Sequence, residues 1–120
     1  MFIKKLLDCE EFTAGDNTLL REILHPDKQD IKLSYSFAHA VVKAKLTTYL
    51  HSLKTSEVYY ILEGKGEMQI DDEKQILEVG DTVYIPPNSK QCITNLLDTD
   101  LKFICMVDPA WKEDDEILHT

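Results

Sequence analysis

The stretch E-V-Y-Y-I-L-E-G-K-G-E, Glu57 to Glu67, decides the fold. Its first half, Val58 to Leu62, is dense in β-branched and aromatic residues and is apolar at both odd and even positions. That pattern predicts a strand buried on both faces. Gly64 and Gly66 follow the run, and glycines that close an apolar run permit the positive φ of a hairpin turn. The stretch therefore predicts a core strand followed by a tight turn.

A carboxylate stands at the mouth of this apolar strand. Glu57, Tyr59 and Ile61 alternate along the strand, so the Glu57 side chain is expected on the same face of the strand as the other two. Burying a carboxylate without donors or a metal ion costs several kcal/mol. Glu57 is therefore a candidate functional residue.

Short apolar runs separated by turn residues continue along the chain. They predict strands at Thr18–Leu24, Ile31–Val42, Lys45–Leu53, Glu67–Ile70, Gln75–Glu78, Thr82–Ile85, Gln91–Leu96 and Leu101–Val107. Thr18–Leu24 is also compatible with a helical turn, and we choose a strand. Many short strands without a long helix are typical of an all-β antiparallel sandwich or barrel.

The length of 120 residues fits a single domain with one core. We divide it into an N-terminal arm (1–17), a barrel (18–107) and a charged C-terminal tail (108–120). No chemistry is assigned to the arm. The tail, whose anchors are Trp111, Ile117 and Leu118, is compatible with a short helix packed on the outside of the barrel or on a partner subunit.

Charge and cysteine content exclude several classes of protein. With 22 acidic and 13 basic residues, the net charge of -9 argues against nucleic acid or an anionic membrane surface as a partner. Three cysteines without a C-x-x-C pair disfavour a disulfide framework or a zinc knuckle. Since no run of about 18 apolar residues occurs, no membrane span is expected. The expected location is the cytoplasm.

Two spaced sets of residues resemble the motifs of the cupin family. The first set is His51-Ser52-Leu53, Glu57 and Gly64, and the second is Gly80, Pro86-Pro87-Asn88, Gln91 and Asn95. The family motifs have two histidines, a glutamate and a glycine, and then a glycine, a proline, a glycine, a histidine and an asparagine. The resemblance implies a double-stranded β-helix, which is a jelly-roll barrel whose mouth holds a divalent metal on three histidines and one glutamate.

When the family ligands are matched residue by residue, only two of the four are found in this sequence. His51 and Glu57 match family ligands, whereas Leu53 and Gln91 stand where the second and third histidines are expected. Leucine cannot bind a metal, and a glutamine oxygen is a weak ligand. We therefore expect a site of His51, Glu57 and Gln91 that holds zinc, iron, manganese or nickel weakly. Asn88 replaces a glycine and tolerates the same left-handed backbone.

Glu57 has an alternative that needs no metal, because hydrogen bonds from His51 and Gln91 would also satisfy its carboxylate. Three further residues are expected to line the pocket: His39, Tyr59 and Leu53. Three other tyrosines are expected in the core: Tyr35, Tyr60 and Tyr84.

Three classes of function follow. The first is a binding module, in which the barrel mouth holds a small polar molecule and, weakly, a divalent metal. The second is a metal-dependent isomerase, lyase or dioxygenase with Glu57 or His51 as ligand or proton carrier. The third is a non-catalytic oligomeric scaffold. No residue is assigned as catalytic, and we expect a homodimer because a small barrel must cover its exposed sheet edges.

Overall fold

The computed structural model describes residues 1–119, which form two antiparallel sheets. The strands are β1 (Glu11–Thr13), β2 (Leu19–Leu24), β3 (Ser36–Val42), β4 (His51–Leu53), β5 (Ser56–Glu63), β6 (Lys65–Ile70), β7 (Glu73–Glu78), β8 (Thr82–Ile85), β9 (Gln91–Asn95), β10 (Leu101–Asp108) and β11 (Glu116–Leu118). Single turns of 3-10 helix occur at Leu6–Asp8 and Glu113–Asp115. The predicted all-β class is confirmed.

The strand order is that of a jelly roll. One sheet has the order β1-β2-β3-β10-β5-β8, and the other has the order β11-β4-β9-β6-β7. Strands distant in sequence are neighbours, as when β10 pairs with both β3 and β5. Such long-range antiparallel pairing distinguishes a jelly roll from a simple meander.

The core lies between the two sheets. The inward positions of β10 include Leu101, Phe103 and Cys105, which are buried together with Ile61 of β5 and Ile93 of β9. These positions alternate with partly exposed residues along β10, as expected for a sheet with one face on the core. Inner faces of both sheets therefore form a single hydrophobic core.

The prediction that β5 is buried on both faces is wrong. Tyr59 and Ile61 are buried, but Tyr60 and Leu62 are 45% and 37% exposed. No layer within residues 1–119 covers the outer face of this sheet. The even-numbered side chains of β5, Tyr60 and Leu62, therefore lie at the surface. For the same reason Tyr84 is exposed rather than part of the core, and Tyr35 is half-buried.

Two turn predictions depend on left-handed backbone. Gly64 has φ +89° and Asn88 has φ +66°, so both residues adopt the predicted conformation. The turn at Gly64 is not a hairpin, however, because β5 and β6 lie in different sheets. A side chain at Gly64 would also place its Cβ 3.0 Å from the carbonyl oxygen of Asp100. At Gly64 the chain therefore crosses from one sheet to the other, close to the backbone of Asp100.

Arm and tail both add strands to the sheets. β1 pairs with β2, and β11 pairs with β4, so each becomes the edge of one sheet. The short helix with which the tail sequence is compatible is limited to one 3-10 turn, Glu113–Asp115, before β11. The segments 31–35 and 45–50, predicted as strand, contain no regular strand and make only an isolated bridge at Thr47.

Cys9, Cys92 and Cys105 are free thiols, and Cys9 and Cys105 are buried. Among the helices of residues 1–119, none has the length and apolar character needed to cross a membrane.

Candidate functional site

A cavity of about 520 Å³ lies inside one end of the barrel. Part of its wall is apolar and comes from inner sheet faces, including Ala38, Leu53 and Phe103. The rest comes from the N-terminal arm around Asp16 and from the C-terminal tail around Glu116. A concave, mainly apolar site with a few polar groups is the usual form of a small-molecule site.

His51 of β4 presents one ring nitrogen to this cavity. The residue is 3% exposed, and its Nδ1 lies 2.8 Å from the backbone oxygen of Tyr49. Because a carbonyl oxygen can only accept, Nδ1 carries a proton and donates it in this bond. Nε2 lies 3.6 Å from Oδ2 of Asp16, beyond hydrogen-bond distance. The backbone thus fixes the ring and leaves Nε2 available to a ligand.

A chain of hydrogen bonds links three of the predicted site residues. The Tyr59 hydroxyl donates to Oε1 of Gln91 over 3.0 Å, and Nε2 of Gln91 donates to Oε1 of Glu57 over 3.0 Å. All three side chains are buried. Gln91 therefore satisfies one Glu57 oxygen without a metal ion, as the alternative predicted, whereas His51 donates to Tyr49 instead.

Burial controls the protonation of Glu57 and Tyr59, the two titratable residues of this hydrogen-bond chain. It raises the pKa of Glu57 to about 8, opposed by the Gln91 hydrogen bond and assisted by the charge of Asp16. Burial, followed by the charge of Glu57, also raises the pKa of Tyr59 well above its usual value. Near neutral pH, Glu57 is therefore mainly a neutral carboxylic acid, and Tyr59 remains a hydrogen-bond donor.

Asp16 is a second buried carboxyl group at the cavity, and it comes from the arm. It is 8% exposed, and its Oδ1 accepts hydrogen bonds from the backbone N–H and hydroxyl of Thr18. This local turn fixes the side chain with Oδ2 directed towards His51. Asp16 and His51 together form an acid–imidazole pair on the cavity wall.

Glu116 of β11 supplies a third carboxyl group from the tail. A Cβ atom placed on Gly15 would lie 3.3 Å from Oε1 of Glu116, so the arm and the tail meet closely here. Partial burial raises the pKa of Glu116; His51 opposes this shift and the charge of Asp16 adds to it. Glu116 therefore shares the electrostatic environment of Asp16 and His51.

Five of the six predicted site residues lie at or beside the cavity. His51, Glu57, Leu53 and Tyr59 line it, and Gln91 lies directly behind Glu57. Across the β4–β9 pair, the Cα atoms of His51 and Gln91 are in register.

His39 is not one of the residues that line the cavity, contrary to our expectation. Along β3 the small residues Ser36, Ala38 and Ala40 face inward, and the bulky parity containing His39 faces outward. There, partial burial and the charges of Lys102 and Arg21 lower the pKa of His39. Small side chains face inward because the space between the sheets must hold a cavity as well as a core.

The residues present fit a divalent metal ion poorly. Gln91 is engaged by both Tyr59 and Glu57, and Leu53 has no donor atom. Across residues 1–119, no three His, Cys, Asp or Glu side chains are placed to hold a metal ion together. His51 Nε2 and one oxygen of Glu57 are the donors left at the predicted site, whereas first-row divalent ions take four or more.

Sequence reasoning missed Asp16 and Glu116. The run Asp16-Asn17-Thr18 carries a local turn signal, because aspartate hydrogen-bonds to backbone two residues later. That signal predicts the turn but not its position over the cavity. Glu116 lies among charged tail residues and has no distinguishing signal in the sequence.

Comparison with known proteins places this chain in a family. The Cupin domain family model matches residues 40–107, which is more than half of the chain. An uncharacterized protein of Methanocaldococcus jannaschii, MJ1618, is 43% identical over 110 residues, covering 90% of this chain and 87% of the relative.

Solved structures share the fold at low sequence identity. A Cupin 2 conserved barrel protein from Salinispora arenicola has a TM-score of 0.78 at 18% identity, over 95% of this chain and 91% of that one. A predicted oxalate decarboxylase from Thermotoga maritima has a TM-score of 0.78 at 17% identity, over 90% and 99%. Streptomyces Pac13, a nucleoside dehydratase solved with uridine, has a TM-score of 0.80 at 18% identity, over 100% and 92%. By its match to the Cupin domain model over residues 40–107, the chain belongs to the cupin family.

Proposed function

We propose that the protein binds a small polar molecule in the barrel-mouth cavity, through hydrogen bonds with His51 and Glu57. The observation that carries this proposal is the His51 ring: its Nδ1 is held by the Tyr49 carbonyl, and its Nε2 faces a cavity of about 520 Å³. A buried imidazole nitrogen without a hydrogen-bond partner is stabilised by a ligand that supplies one. Glu57, neutral near pH 7, adds a donor to the wall of the same cavity.

A divalent metal ion is held weakly, if bound, by His51 and Glu57. Gln91 contributes little, because Tyr59 and Glu57 already engage its amide. With so few free donors, ligand binding in this proposal does not depend on the metal.

A titration of chelator-treated protein with benzyl alcohol tests the proposal. The probe has a hydroxyl group for His51 and an apolar ring for the wall near Phe103. We expect shifts of backbone amide signals around the cavity in ¹H–¹⁵N spectra, and loss of these shifts in Ala38→Phe, which fills the cavity. Tyr60→Phe is the matched control, because its side chain lies on the outer face and leaves the cavity unchanged. Shifts that persist in Ala38→Phe, or no shifts in the wild type, would refute the proposal.

A second candidate, an isomerase or lyase that moves protons, is favoured by the Asp16–His51 pair. A fixed imidazole with a carboxylate near its free nitrogen is a common arrangement for general acid–base catalysis. Hydroxyacetone in D₂O is a direct probe, because proton abstraction next to its carbonyl replaces hydrogen by deuterium. We expect faster exchange with the wild type than with His51→Gln. Equal rates would reject this candidate for small hydroxyketones.

A further inference from the structure

The charges around the cavity are strongly unequal. Six lining side chains are acidic, and two are lysines: Asp16, Glu22, Asp27, Glu57, Glu113 and Glu116, with Lys28 and Lys112. Lys28 already pairs with Glu22 at 2.7 Å. Lys112 lies at the exposed rim next to Glu113. No lysine or arginine therefore neutralises the carboxylates deeper in the cavity.

The second histidine of the cavity wall adds no positive charge. Nδ1 of His25 accepts a hydrogen bond from the backbone N–H of Asp27, so this nitrogen carries no proton. Its Nε2 then donates to the backbone oxygen of Trp111 over 2.8 Å. Both ring nitrogens are satisfied, and His25 is neutral in this arrangement.

An uncompensated negative charge remains at one side of the cavity. We call Asp16, His51 and Glu116 the acidic wall. If His51 is protonated, the ionised wall carries one net negative charge, and if His51 is neutral it carries two. Glu57 is not counted because its Oε1 already accepts a hydrogen bond from the Gln91 amide. In either state of His51, at least one negative charge of the ionised wall has no counter-charge within the wall.

Two polar atoms in this wall make no hydrogen bond within residues 1–119, although they lie within ion-pair distance of each other, and both residues line the cavity. Asp16 and His51 are 8% and 3% exposed, yet Oδ2 and Nε2 stand 3.6 Å apart, too far for a hydrogen bond. Oδ1 of Asp16 is occupied by Thr18, so Oδ2 is the oxygen left for a ligand. Buried charges in proteins are normally paired. Because protonated His51 can balance only one of the carboxylates of Asp16 and Glu116, a ligand that completes this wall would carry a positive group that donates hydrogen bonds.

We propose that the ligand of the cavity is a small organic cation, a primary amine or a guanidine, whose charged group binds the acidic wall. Its hydrocarbon part packs against apolar wall residues such as Leu20, Leu53 and Phe103. An organic cation suits the site better than a metal ion, because no three acidic, His or Cys side chains of residues 1–119 are placed to coordinate one. An anionic ligand would face like charges. This inference rests on the proposed binding function and specifies its ligand.

Three probes of one skeleton and different charge test the inference: benzylamine, benzyl alcohol and benzoate. In ¹H–¹⁵N titrations of the wild type near pH 7, we expect benzylamine to bind at least tenfold more tightly than benzyl alcohol. We expect benzoate to bind more weakly than the alcohol. If the alcohol binds in the cavity but the amine binds no better, this inference is wrong and the proposed function stands. If none of the probes binds in the cavity, both are wrong.

Paired variants separate the acidic wall from the general negative charge of the protein. Asp16→Asn with Glu116→Gln removes two charges at the wall, and Asp27→Asn with Glu113→Gln removes two at the exposed rim. Asparagine at position 16 retains the acceptor for Thr18. We expect the amine-to-alcohol preference to fall to about one in the wall variant and to persist in the rim variant. Equal loss in both would show that the preference is a surface charge effect, which overturns the proposal.

Discussion

Replacing Glu57 by glutamine should change how the stability of the protein depends on pH. Glutamine preserves the acceptor oxygen for Gln91 but cannot ionise, so the substitution isolates one proton. In the folded protein the pKa of Glu57 is raised from 4.5 to about 8. Between these values, folded Glu57 keeps a proton that the unfolded chain has lost. The free energy of unfolding of the wild type therefore falls as pH rises through this window.

The size of this stability change follows from the pKa shift of Glu57. At about 1.4 kcal/mol per pH unit, the full window corresponds to roughly 5 kcal/mol. This is an upper limit, because water that enters the cavity would solvate the ionised carboxylate. Above the pKa of folded Glu57, the wild type bears the full free-energy cost of an ionised carboxylate in the buried site. Glu57→Gln does not bear this cost and is then more stable than the wild type. Below pH 4.5 the penalty is absent.

Urea unfolding followed by circular dichroism measures this difference. Across two pH units inside the window, we expect the stability of Glu57→Gln relative to the wild type to rise by up to roughly 3 kcal/mol. Glu73→Gln is the matched control, since Glu73 is an exposed glutamate on β7 and should give no such trend. A stability difference between Glu57→Gln and wild type that is independent of pH would refute the burial argument for Glu57.

Three further predictions concern the metal ligands, the turn and the assembly. Leu53→His combined with Gln91→His should bind zinc or nickel at least tenfold more tightly, a gain of about 1.4 kcal/mol, because it restores three imidazoles and a carboxylate; equal affinities in titration calorimetry would contradict this. Asn88→Val should lower the free energy of unfolding by about 1–2 kcal/mol relative to Asn88→Gly, because only the glycine adopts φ +66° without strain; equal urea midpoints would contradict it. We also expect a homodimer, so light scattering should give the mass of two chains of 13.8 kDa, whereas a mass near 13.8 kDa would refute it.

Local sequence signals predicted the strands near the family motifs well. β8 and β9 lie within one residue of the predicted ranges, and β5 starts two residues before and ends one residue after the predicted strand Val58 to Leu62. Turn residues such as Gly64 and Asn88 lie just beyond these strands. The register of Glu57 with Tyr59 and Ile61 was also predictable, since all three side chains face inward. Period-two alternation determines such relations within one strand.

Relations between distant segments could not be read from the chain. Alternation in β3 separates His39 from Ala38 and Ala40, but it does not indicate which set faces the cavity. Asp16 and Glu116 are 100 positions apart in the numbering, and only the pairing of β1 and β11 with the barrel sheets brings them together. The sequence therefore predicted the residues of the hydrogen-bond chain that ends at Glu57. Of the acidic wall, it predicted only His51.

A crystal structure of chelator-treated protein soaked with benzyl alcohol would test metal-independent binding in the cavity most directly. We predict density for the ring against Leu53 and Phe103, with the hydroxyl group within hydrogen-bond distance of His51 Nε2 or the Glu57 carboxyl group. Density for the probe only on the outer sheet face, with water alone in the cavity, would contradict the account.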